Sequence, residues 1–259
     1  MNQQKFENVL TVIFTAIFVI LVGFAIVIVS PTIQSVNMKP TVKVVVQRIY
    51  DVRPSYEYLS SVTVYMVNPM GDIKDPEVQA GRATGTIVAI KNNEAYILTN
   101  HHVCQAEADN CYMSLTGKNL PKGLIKLTFV KSGDYDKNID LELWKVDASL
   151  IGDKQVIKGI RANKIADKVF SVGHYLGKPF IYTEGVKAGE DNDGDIYNLP
   201  CVFGCSGSGI FNEDGEMVAV LYAGHIVPTT LPFIGSFDTA KAIAVNYDNI
   251  KEFLKGIIE

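Results

Sequence analysis

Hydrophobic residues fall into three regions of the chain that differ in pattern. The first is an uninterrupted apolar run, in which the 21 residues from Val9 to Val29 carry no charge. The second and longest region is a series of short apolar runs with turn residues between them, which is typical of the strands of barrels or sandwiches. The third, from Asn246 to Ile258, has apolar residues at helical spacing and predicts a terminal amphipathic helix.

The first apolar run predicts one transmembrane helix over residues 9–30. At about 1.5 Å per residue, such a helix reaches roughly 30 Å, the thickness of a bilayer core. A buried core helix would seldom be apolar on every face, and the following residues lack a signal-peptidase pattern. Residues 1–8 then form an N-terminal tail. Residues 31–42, which are largely polar and contain two prolines, form a tether.

The strand-like runs divide into two blocks, residues 43–150 and 151–245. Asn92-Asn93 lies between two apolar runs and predicts a hairpin, because asparagine tolerates the positive φ of a tight turn. Asp214-Gly215 predicts a second hairpin. Residues 139–146, IDLELWKV, alternate between apolar and polar positions, as in a strand with one buried face.

Composition and charge limit the kinds of partner that the chain is expected to bind. A chain of 259 residues with 47% hydrophobic content can bury a sizeable core. Its net charge is −4 and it has no basic run, so no nucleic-acid partner is predicted. No metal is predicted either, because the acidic run Gly189–Tyr197 lacks the glycine at the sixth position and the glutamate at the twelfth position of a calcium loop. We interpret that run as an exposed turn.

The orientation in the membrane depends on two opposing signals. Positive charges near the span slightly favour a cytoplasmic C-terminal side, although this rule weakens when a long domain crosses. The four cysteines form two close pairs in sequence, which favours an oxidising compartment. We therefore expect a single-pass membrane protein with its N-terminus inside and its folded domain extracytoplasmic.

Two short motifs suggest nucleophilic chemistry. GCSGSG, Gly204–Gly209, presents a serine between glycines, and TNHHVC, Thr99–Cys104, places histidines after an apolar run. A serine nucleophile needs a base, a partner that orients the base, and donors for the developing oxyanion. A Gly-x-Ser-Gly turn can provide such donors as backbone N–H groups. The elbow G-x-S-x-G is not present, because residue 208 is serine, which argues against an α/β-hydrolase.

Three segments, in the order His, Asp, Ser, resemble those that carry the triad in chymotrypsin-fold serine proteases, closest to the HtrA-type branch. They are ILTNHHV, NIDLELWKVD and GCSGSGIFNEDGEMVAVLYAG. VFSVGHYLGKPFIYTEGVKAG and KAIAVNYDNIKEFL are similar to a strand pair and to the closing strand and helix of the same branch. The resemblance covers about residues 80–257, and we expect no PDZ domain after it.

The resemblance implies an all-β fold of two six-stranded antiparallel β-barrels with a C-terminal helix, here preceded by the transmembrane helix. The trypsin-like protease domain would span residues 43–259. Barrel 1 would occupy about 43–150, barrel 2 about 151–245, and the helix 246–258. A polypeptide substrate would bind between the barrels and no cofactor would be required. The lipid bilayer would contact residues 9–30, and no oligomeric state is implied.

Carried over residue by residue, the resemblance implies a serine endopeptidase. His102 would be the general base, Asp140 the carboxylate that orients it, and Ser206 the nucleophile that forms an acyl-enzyme. The backbone N–H groups of Gly204 and Ser206 would form the oxyanion hole. A catalytically inactive protease-like domain that binds a membrane or envelope partner is the alternative function.

Each assigned residue has a competitor nearby. His101 neighbours the base, and strand alternation would point the two rings in opposite directions. Asp134 and Asp136 are acidic but lie in a turn-like stretch, where solvated loop charges are expected. Cys205 stands where relatives carry Asn or Asp, and it would be the nucleophile of a cysteine protease. Ser208 replaces the second glycine of S-G-G and is expected to contact backbone or pack as a small residue.

The cysteines and the specificity pocket complete the expectations. Candidate disulfides are Cys104–Cys111, after the base, and Cys201–Cys205, in the oxyanion loop, while crossed pairing and free thiols remain open. Pro200 stands six positions before Ser206, where an acidic residue would select Arg or Lys. The proline at this position favours substrates with an apolar side chain, which would bind in a pocket formed near Pro200 and Tyr222–His225.

Overall fold

A computed structural model describes residues 53–69, 80–105, 110–117, 123–137, 139–192, 194–231 and 235–258, with the backbone alone at 225–231 and 235–241. The predicted tail, transmembrane helix and tether, together with the start of the predicted domain at residue 43, lie outside these described residues. Among the helices that the structure describes, none has the length and apolar character needed to cross a bilayer.

The first half of the described chain is a curled antiparallel sheet of seven strands. They are β1 Thr63–Pro69, β2 Ala80–Lys91, β3 Glu94–Thr99, β4 Tyr112–Ser114, β5 Ile125–Lys126, β6 Thr128–Ser132 and β7 Glu142–Asp147. Their order in the sheet is β5-β4-β1-β2-β3-β7-β6. Helix α1, Tyr56–Ser61, precedes β1, and the short helix α2, His101–Cys104, follows β3.

The prediction of a six-stranded first barrel is therefore wrong. β5 and β6 are separated only by Leu127, whose backbone N–H still donates to the carbonyl of Cys111 at 2.9 Å. One bent segment thus pairs with β4 at its start and with β7 at its end. The two edges of the sheet are joined through this segment of chain rather than through an uninterrupted strand.

The second half is a closed six-stranded barrel, as predicted. Its strands are β8 Lys168–Gly173, β9 Ile181–Asp191, β10 Gly194–Tyr197, β11 Gly209–Phe211, β12 Met217–Leu231 and β13 Gly235–Val245. They close in the order β10-β13-β12-β11-β8-β9. Helix α3, Tyr247–Phe253, follows β13.

Both predicted hairpins are confirmed. Asn92 and Asn93 join β2 to β3 with φ values of 53° and 62°, the left-handed region that asparagine tolerates. Between β11 and β12, Gly215 has φ of 78° and the N–H of Asp214 donates to the side chain of Asn212. Local turn chemistry therefore sets the register of a strand pair in each half.

The largest hydrophobic cluster joins the two halves. It contains Leu98 and Leu143 from the first sheet and Phe170 and Phe211 from the barrel, all nearly or fully buried. Burying one such side chain stabilises the fold by about 1.5–3 kcal/mol. Because the two halves share this packed core, loops that meet at their boundary hold defined positions.

Helix α3 covers one part of this core and is shorter than predicted. Asn246 caps it, since its side chain accepts the N–H of Asn249 at 3.0 Å. Ile250 and Leu254 are 1% and 0% exposed and join the shared cluster, as the apolar spacing predicts. The helix ends at Phe253, and the remaining described residues form turns.

The acidic run Gly189–Tyr197 corresponds to the β9–β10 hairpin and is only partly an exposed turn. Asp191 is exposed, whereas Asp195 is 3% exposed and lies 2.9 Å from the ammonium of Lys187. The hydroxyl of Tyr197 also donates to Asp195 at 3.1 Å. A buried carboxylate needs such partners, so this part of the run has a structural explanation.

Candidate active site

The three residues predicted for catalysis lie where the two halves meet. His102 belongs to α2 and Ser206 to the loop before β11. Asp140 lies just before β7 rather than at the start of the strand, which begins at Glu142. His102 and Ser206 line one open cleft of about 400 Å³.

His102 and Asp140 form a direct hydrogen-bonded pair. Asp140 Oδ2 lies 2.6 Å from His102 Nδ1, and Asp140 Oδ1 accepts the backbone N–H of His102 at 3.1 Å. The backbone carbonyl of Asp140 accepts a hydrogen bond from the side chain of Asn100 at 2.7 Å. The Asp140 side chain is 6% exposed and the His102 side chain 40% exposed. The pair thus leaves Nε2 of His102 as the ring nitrogen available for proton transfer.

His101 binds a different carboxylate. Its Nδ1 lies 2.8 Å from Oε1 of Glu142, whose other oxygen accepts the indole N–H of Trp144 at 2.9 Å. Residues 101–104 are helical, so strand alternation does not separate the two histidine rings. Successive helical positions differ by about 100° instead, and this difference sends His101 and His102 to separate partners.

Thr84 connects the nucleophile loop to the first sheet. Its backbone N–H donates to the carbonyl of Ser206 at 2.9 Å, and its hydroxyl donates to the carbonyl of Gly204 at 2.8 Å. The same hydroxyl accepts the backbone N–H of His174 at 3.0 Å. Thr84 is fully buried, so a single residue on β2 positions both ends of the Gly204–Ser206 turn, one through its side chain and the other through its backbone.

Two glycines in this loop cannot carry a side chain. Gly204 has φ of 96°, and a Cβ there would lie 2.2 Å from the carbonyl oxygen of His174. Gly207 has φ of 82°, and a Cβ there would lie 2.0 Å from the carbonyl oxygen of Thr84. Positive φ and close backbone approach together explain these glycines.

The loop leaves two backbone donors available. Within the described part of the chain, no hydrogen bond engages the N–H of Gly204 or of Ser206. The carbonyl of Phe203 accepts the N–H of Leu176 at 2.7 Å, which fixes the orientation of the Phe203–Gly204 peptide. The hydroxyl of Ser206 lies 3.5 Å from the carbonyl of Tyr222, at the long limit for a hydrogen bond.

The cysteines are joined in two short-range disulfides, Cys104–Cys111 and Cys201–Cys205. The sulfur of Cys205 is therefore bonded and is not a thiolate in this structure. Its partner Cys201 lies at the other end of a segment that includes the exposed Phe203. This bond links the residue directly before Ser206 to the chain that enters the loop.

The remaining competitors have other surroundings. Asp134 forms a surface ion pair with Lys137 at 2.5 Å, and Asp136 is exposed in the same turn. Ser208 is fully buried, and a Cβ on Gly173 would approach its hydroxyl within 2.3 Å. Ser208 therefore packs as a small residue, as expected.

Sequence reasoning did not identify the residues that support the loop around Ser206, above all His174. Its ring is fully buried between Tyr65 and Phe180, with centroid distances of 4.5 and 4.9 Å. Burial, helped by the nearby charge of Lys154, lowers the pKa of His174 to about 3. His174 is therefore a neutral packing residue at ordinary pH. The only sequence signal for Thr84 is its polar side chain at the start of the strand-like run TGTIVAI.

Comparison with known proteins places the chain in a class. The family model for the trypsin-like peptidase domain matches residues 83–220, which is more than half of the chain. The chain therefore belongs to the trypsin-like peptidase domain family. This membership supports the prediction of a serine endopeptidase. No curated protein matches the chain in sequence.

Solved structures with this fold include two proteases. A serine endoprotease from Yersinia pestis has a TM-score of 0.55 at 20% identity, over 79% of this chain and 67% of its own. The HtrA-type protease AlgW, as a variant with a tripeptide, has a TM-score of 0.55 at 16% identity, over 80% of this chain and 64% of its own. At such identities the likeness shows the fold, and the chain spans about two thirds of each relative's length.

Proposed function

We propose that the chain is a membrane-anchored serine endopeptidase in which Ser206, His102 and Asp140 act as a catalytic triad. The observation that carries the proposal is the hydrogen bond of His102 Nδ1 to Asp140, with Ser206 in the same cleft. In this arrangement the carboxylate holds the imidazole in the tautomer whose Nε2 is a base. The steps that follow need only the chain, the substrate and water.

In the proposed reaction, His102 Nε2 takes the hydroxyl proton of Ser206 as Oγ attacks the substrate's peptide carbonyl. The negative charge that forms on the carbonyl oxygen is stabilised by the N–H groups of Gly204 and Ser206. His102 then gives the proton to the leaving amine as the C–N bond breaks, which leaves an acyl-enzyme. A water molecule then attacks the acyl carbonyl while His102 takes its proton. His102 returns that proton to Ser206 Oγ as the ester C–O bond breaks and the acid is released.

The position of the Ser206 hydroxyl in the absence of substrate is compatible with this role. Its contact with the carbonyl of Tyr222 is long, and rotation about χ1 can redirect Oγ. Catalytic hydrogen bonds are often long or poorly aligned without substrate and tighten in the complex. The backbone of the loop is already held by Thr84 and by two glycines that permit its conformation.

A fluorophosphonate probe tests the nucleophile directly. The full-length protein should be labelled at Ser206, and Ser206→Ala should abolish labelling. Ser208→Ala is the matched control, because it removes the other hydroxyl of the same loop and should retain labelling. Modification of a residue other than Ser206 would overturn the assignment.

The alternative function, an inactive protease-like domain that binds a membrane or envelope partner, draws on the contact of the Ser206 hydroxyl with Tyr222 rather than His102. It predicts that folded protein resists the probe and cleaves no peptide. Labelling lost in Ser206→Ala would exclude it. A cysteine-protease mechanism would instead require activity to persist in that variant and to disappear in Cys205→Ala.

Anchoring through residues 9–30 is supported by the uncharged run alone. The extracytoplasmic side is supported by the two disulfides, since such bonds persist in oxidising compartments. Resistance to carbonate extraction, lost when residues 1–42 are deleted, tests the anchor. Accessibility of the folded domain to added protease in spheroplasts or vesicles tests the side.

The preference for apolar side chains also stays a proposal. Pro200 is exposed and, like Tyr222, does not contribute to the lining of the cleft that holds His102 and Ser206. Which substrate side chain is accepted directly before the cleaved bond therefore has to be tested by measuring peptide cleavage. Strict selection of Arg or Lys in a proteome-derived peptide library would contradict the preference.

A further inference from the structure

Arg82 is the charged residue of the cleft that the catalytic proposal does not use. It lines the cleft together with His102 and Ser206, near the start of β2. Apart from His102, every other described residue of the lining is neutral. A single guanidinium at the wall of the cleft gives it local positive character, although the chain as a whole carries a net charge of −4.

The side chain of Arg82 has a defined position. Its Nη1 lies 3.0 Å, and its Cδ 3.4 Å, from the point where a Cβ on Gly177 would stand. The missing side chain of Gly177 thus makes room for the guanidinium beside the turn Tyr175–Gly177. The buried hydroxyl of Tyr65 lies 3.5 Å from the same point, so the stem of Arg82 follows a surface rather than extending freely into solvent.

Arg82 differs from the other arginines that the structure describes. Arg53 lies 3.6 Å from the carboxylate of Glu184, and Arg161 lies 2.8 Å from that of Glu216. Within the described residues, no ion pair involves Arg82. A guanidinium has five N–H donors arranged to bind a carboxylate in a bidentate manner. Arg82 is therefore the described arginine without a carboxylate, and it is the one in the cleft.

The walls beside Arg82 are apolar and exposed. Phe203 is 90% exposed and Leu176 67% exposed, and both line the cleft. The hydrogen bond from Leu176 to the Phe203 carbonyl joins these two residues at the backbone. Large exposed apolar side chains next to one another mark surfaces that a ligand covers. The combination fits a peptide segment that has an apolar surface and one acidic group.

We propose that Arg82 forms a subsite that selects a carboxylate, the side chain of Asp or Glu in a polypeptide substrate, next to the bond that Ser206 cleaves. This inference rests on the proposed endopeptidase function and specifies its substrate class. Phe203 and Leu176 cover the apolar stem of the bound residue or its neighbour. The guanidinium accepts no proton and takes no part in bond cleavage, so Arg82 determines specificity rather than catalysis.

The test uses one peptide library in two assays on the full-length protein. The library contains octapeptides randomised at every position. Wild-type protein reports on cleavage, and Ser206→Ala reports on binding, with retained peptides identified by mass spectrometry. We expect Asp and Glu to be enriched over Asn and Gln at one position by roughly five- to tenfold in both assays, as for a partly exposed charge-assisted pair.

Substitutions of Arg82 should change that ratio. Arg82→Gln should bring it to about one, Arg82→Lys should retain part of it, and Arg82→Glu should favour Lys at the same position. Arg161→Gln is the matched control, because it removes a remote arginine and should leave the ratio unchanged. Urea unfolding of each variant checks that the fold is retained.

The outcomes separate this inference from the proposed function. Acid enrichment in the binding assay that depends on Arg82 supports the subsite even if no peptide is cleaved, in which case the endopeptidase proposal fails by itself. Cleavage without a difference between Glu and Gln, or with a difference that survives Arg82→Gln, overturns the subsite and leaves the endopeptidase in place. Absence of both binding and cleavage overturns both.

Discussion

His101 and His102 are neighbours in sequence, and each places Nδ1 against a carboxylate just before or at the start of β7. The distances are similar, 2.8 Å to Glu142 and 2.6 Å to Asp140. Of these four residues, only His102 lines the cleft that contains Ser206. A histidine–carboxylate contact therefore does not by itself define a catalytic base, and the position of the nucleophile decides between the two.

The surroundings of the two pairs explain the difference. Ser132 contacts His101 at Nδ1, the nitrogen that also faces Glu142, with a separation of 3.0 Å. In a relay, the serine and the acid must bind different ring nitrogens, so Ser132 is not a second nucleophile. Glu142 is fully buried and also holds the indole N–H of Trp144. This pair ties a strand to a helix, whereas the ring of His102 lines the cleft that contains Ser206.

The largest effect should come from exchanging the two histidines for alanine. His102→Ala should lower kcat/KM for peptide cleavage by about 10⁴-fold, because the base is lost. His101→Ala should change it by less than about threefold, since that ring does not face Ser206. Steady-state cleavage of one peptide by both variants measures the contrast. Equal losses in the two variants would reverse the assignment of the base.

The two carboxylates should separate activity from stability. Asp140→Asn should lower kcat by about 10³-fold or more, because an amide no longer holds the imidazole in the required tautomer. Glu142→Gln should leave activity close to wild type and lower the free energy of unfolding by about 1–2 kcal/mol, because a charge-assisted partner of His101 is lost. Kinetics and urea unfolding of both proteins decide the matter. A large kinetic loss in Glu142→Gln would show that both pairs serve catalysis.

Thr84 should hold Ser206 opposite His102 rather than His101. Thr84→Val keeps the shape but removes the bond to the Gly204 carbonyl, so we expect kcat to fall by roughly 10- to 100-fold. Thr84→Ser should restore most of the activity. Thr86→Val is the matched control on the same strand, because the Thr86 hydroxyl bonds to Gly207 and Gly209, beyond the nucleophile. Similar losses in both valine variants would mean that Thr84 acts only on stability.

The protonation of His174, a third histidine, should have the smallest effect, a loss of folding stability at acidic pH. Its pKa is lowered from 6.5 to about 3, chiefly by burial. Between these values the unfolded chain binds the additional proton, so stability falls as pH decreases from 6.5 towards 3. At pH 5 this group should cost about 2 kcal/mol relative to pH 7.

Urea unfolding of wild type and His174→Gln at pH 7 and pH 5 measures this contribution. The variant should lose less stability between the two pH values than the wild type, although its stability at pH 7 is lower because the packing is disturbed. An identical pH dependence in both proteins would refute the assignment of His174 as a buried neutral histidine.

Much of the fold could be predicted because its signals are local. Asn92-Asn93 and Asp214-Gly215 define their hairpins through the φ values that a tight turn requires. The spacing of Ile250 and Leu254 correctly predicts the buried face of α3. The break at Leu127 carries no such signal, because nothing local to that residue tells which neighbouring strand each side of it pairs with.

The residues of the candidate site also divide into those that the sequence predicts and those that it does not. The motifs around His102 and Ser206 could be recognised in the sequence, since each is a short run of particular residue types. The role of Thr84 could not, because its partner Gly204 lies 120 positions away. Arg82 also lacks a sequence signal, since an arginine near the start of a strand usually faces solvent.

The sequence by itself determined the order of the His, Asp and Ser motifs and the hairpin turns, since these depend on residue types at short spacing. The closed second barrel was implied by the family resemblance of those motifs. Only the tertiary structure decided which of two adjacent histidines faces the serine, which cysteines pair, and which cation stands in the cleft. The physical reason is that these three outcomes depend on distances between segments far apart in the chain. Those distances are set when the two halves pack on their shared core.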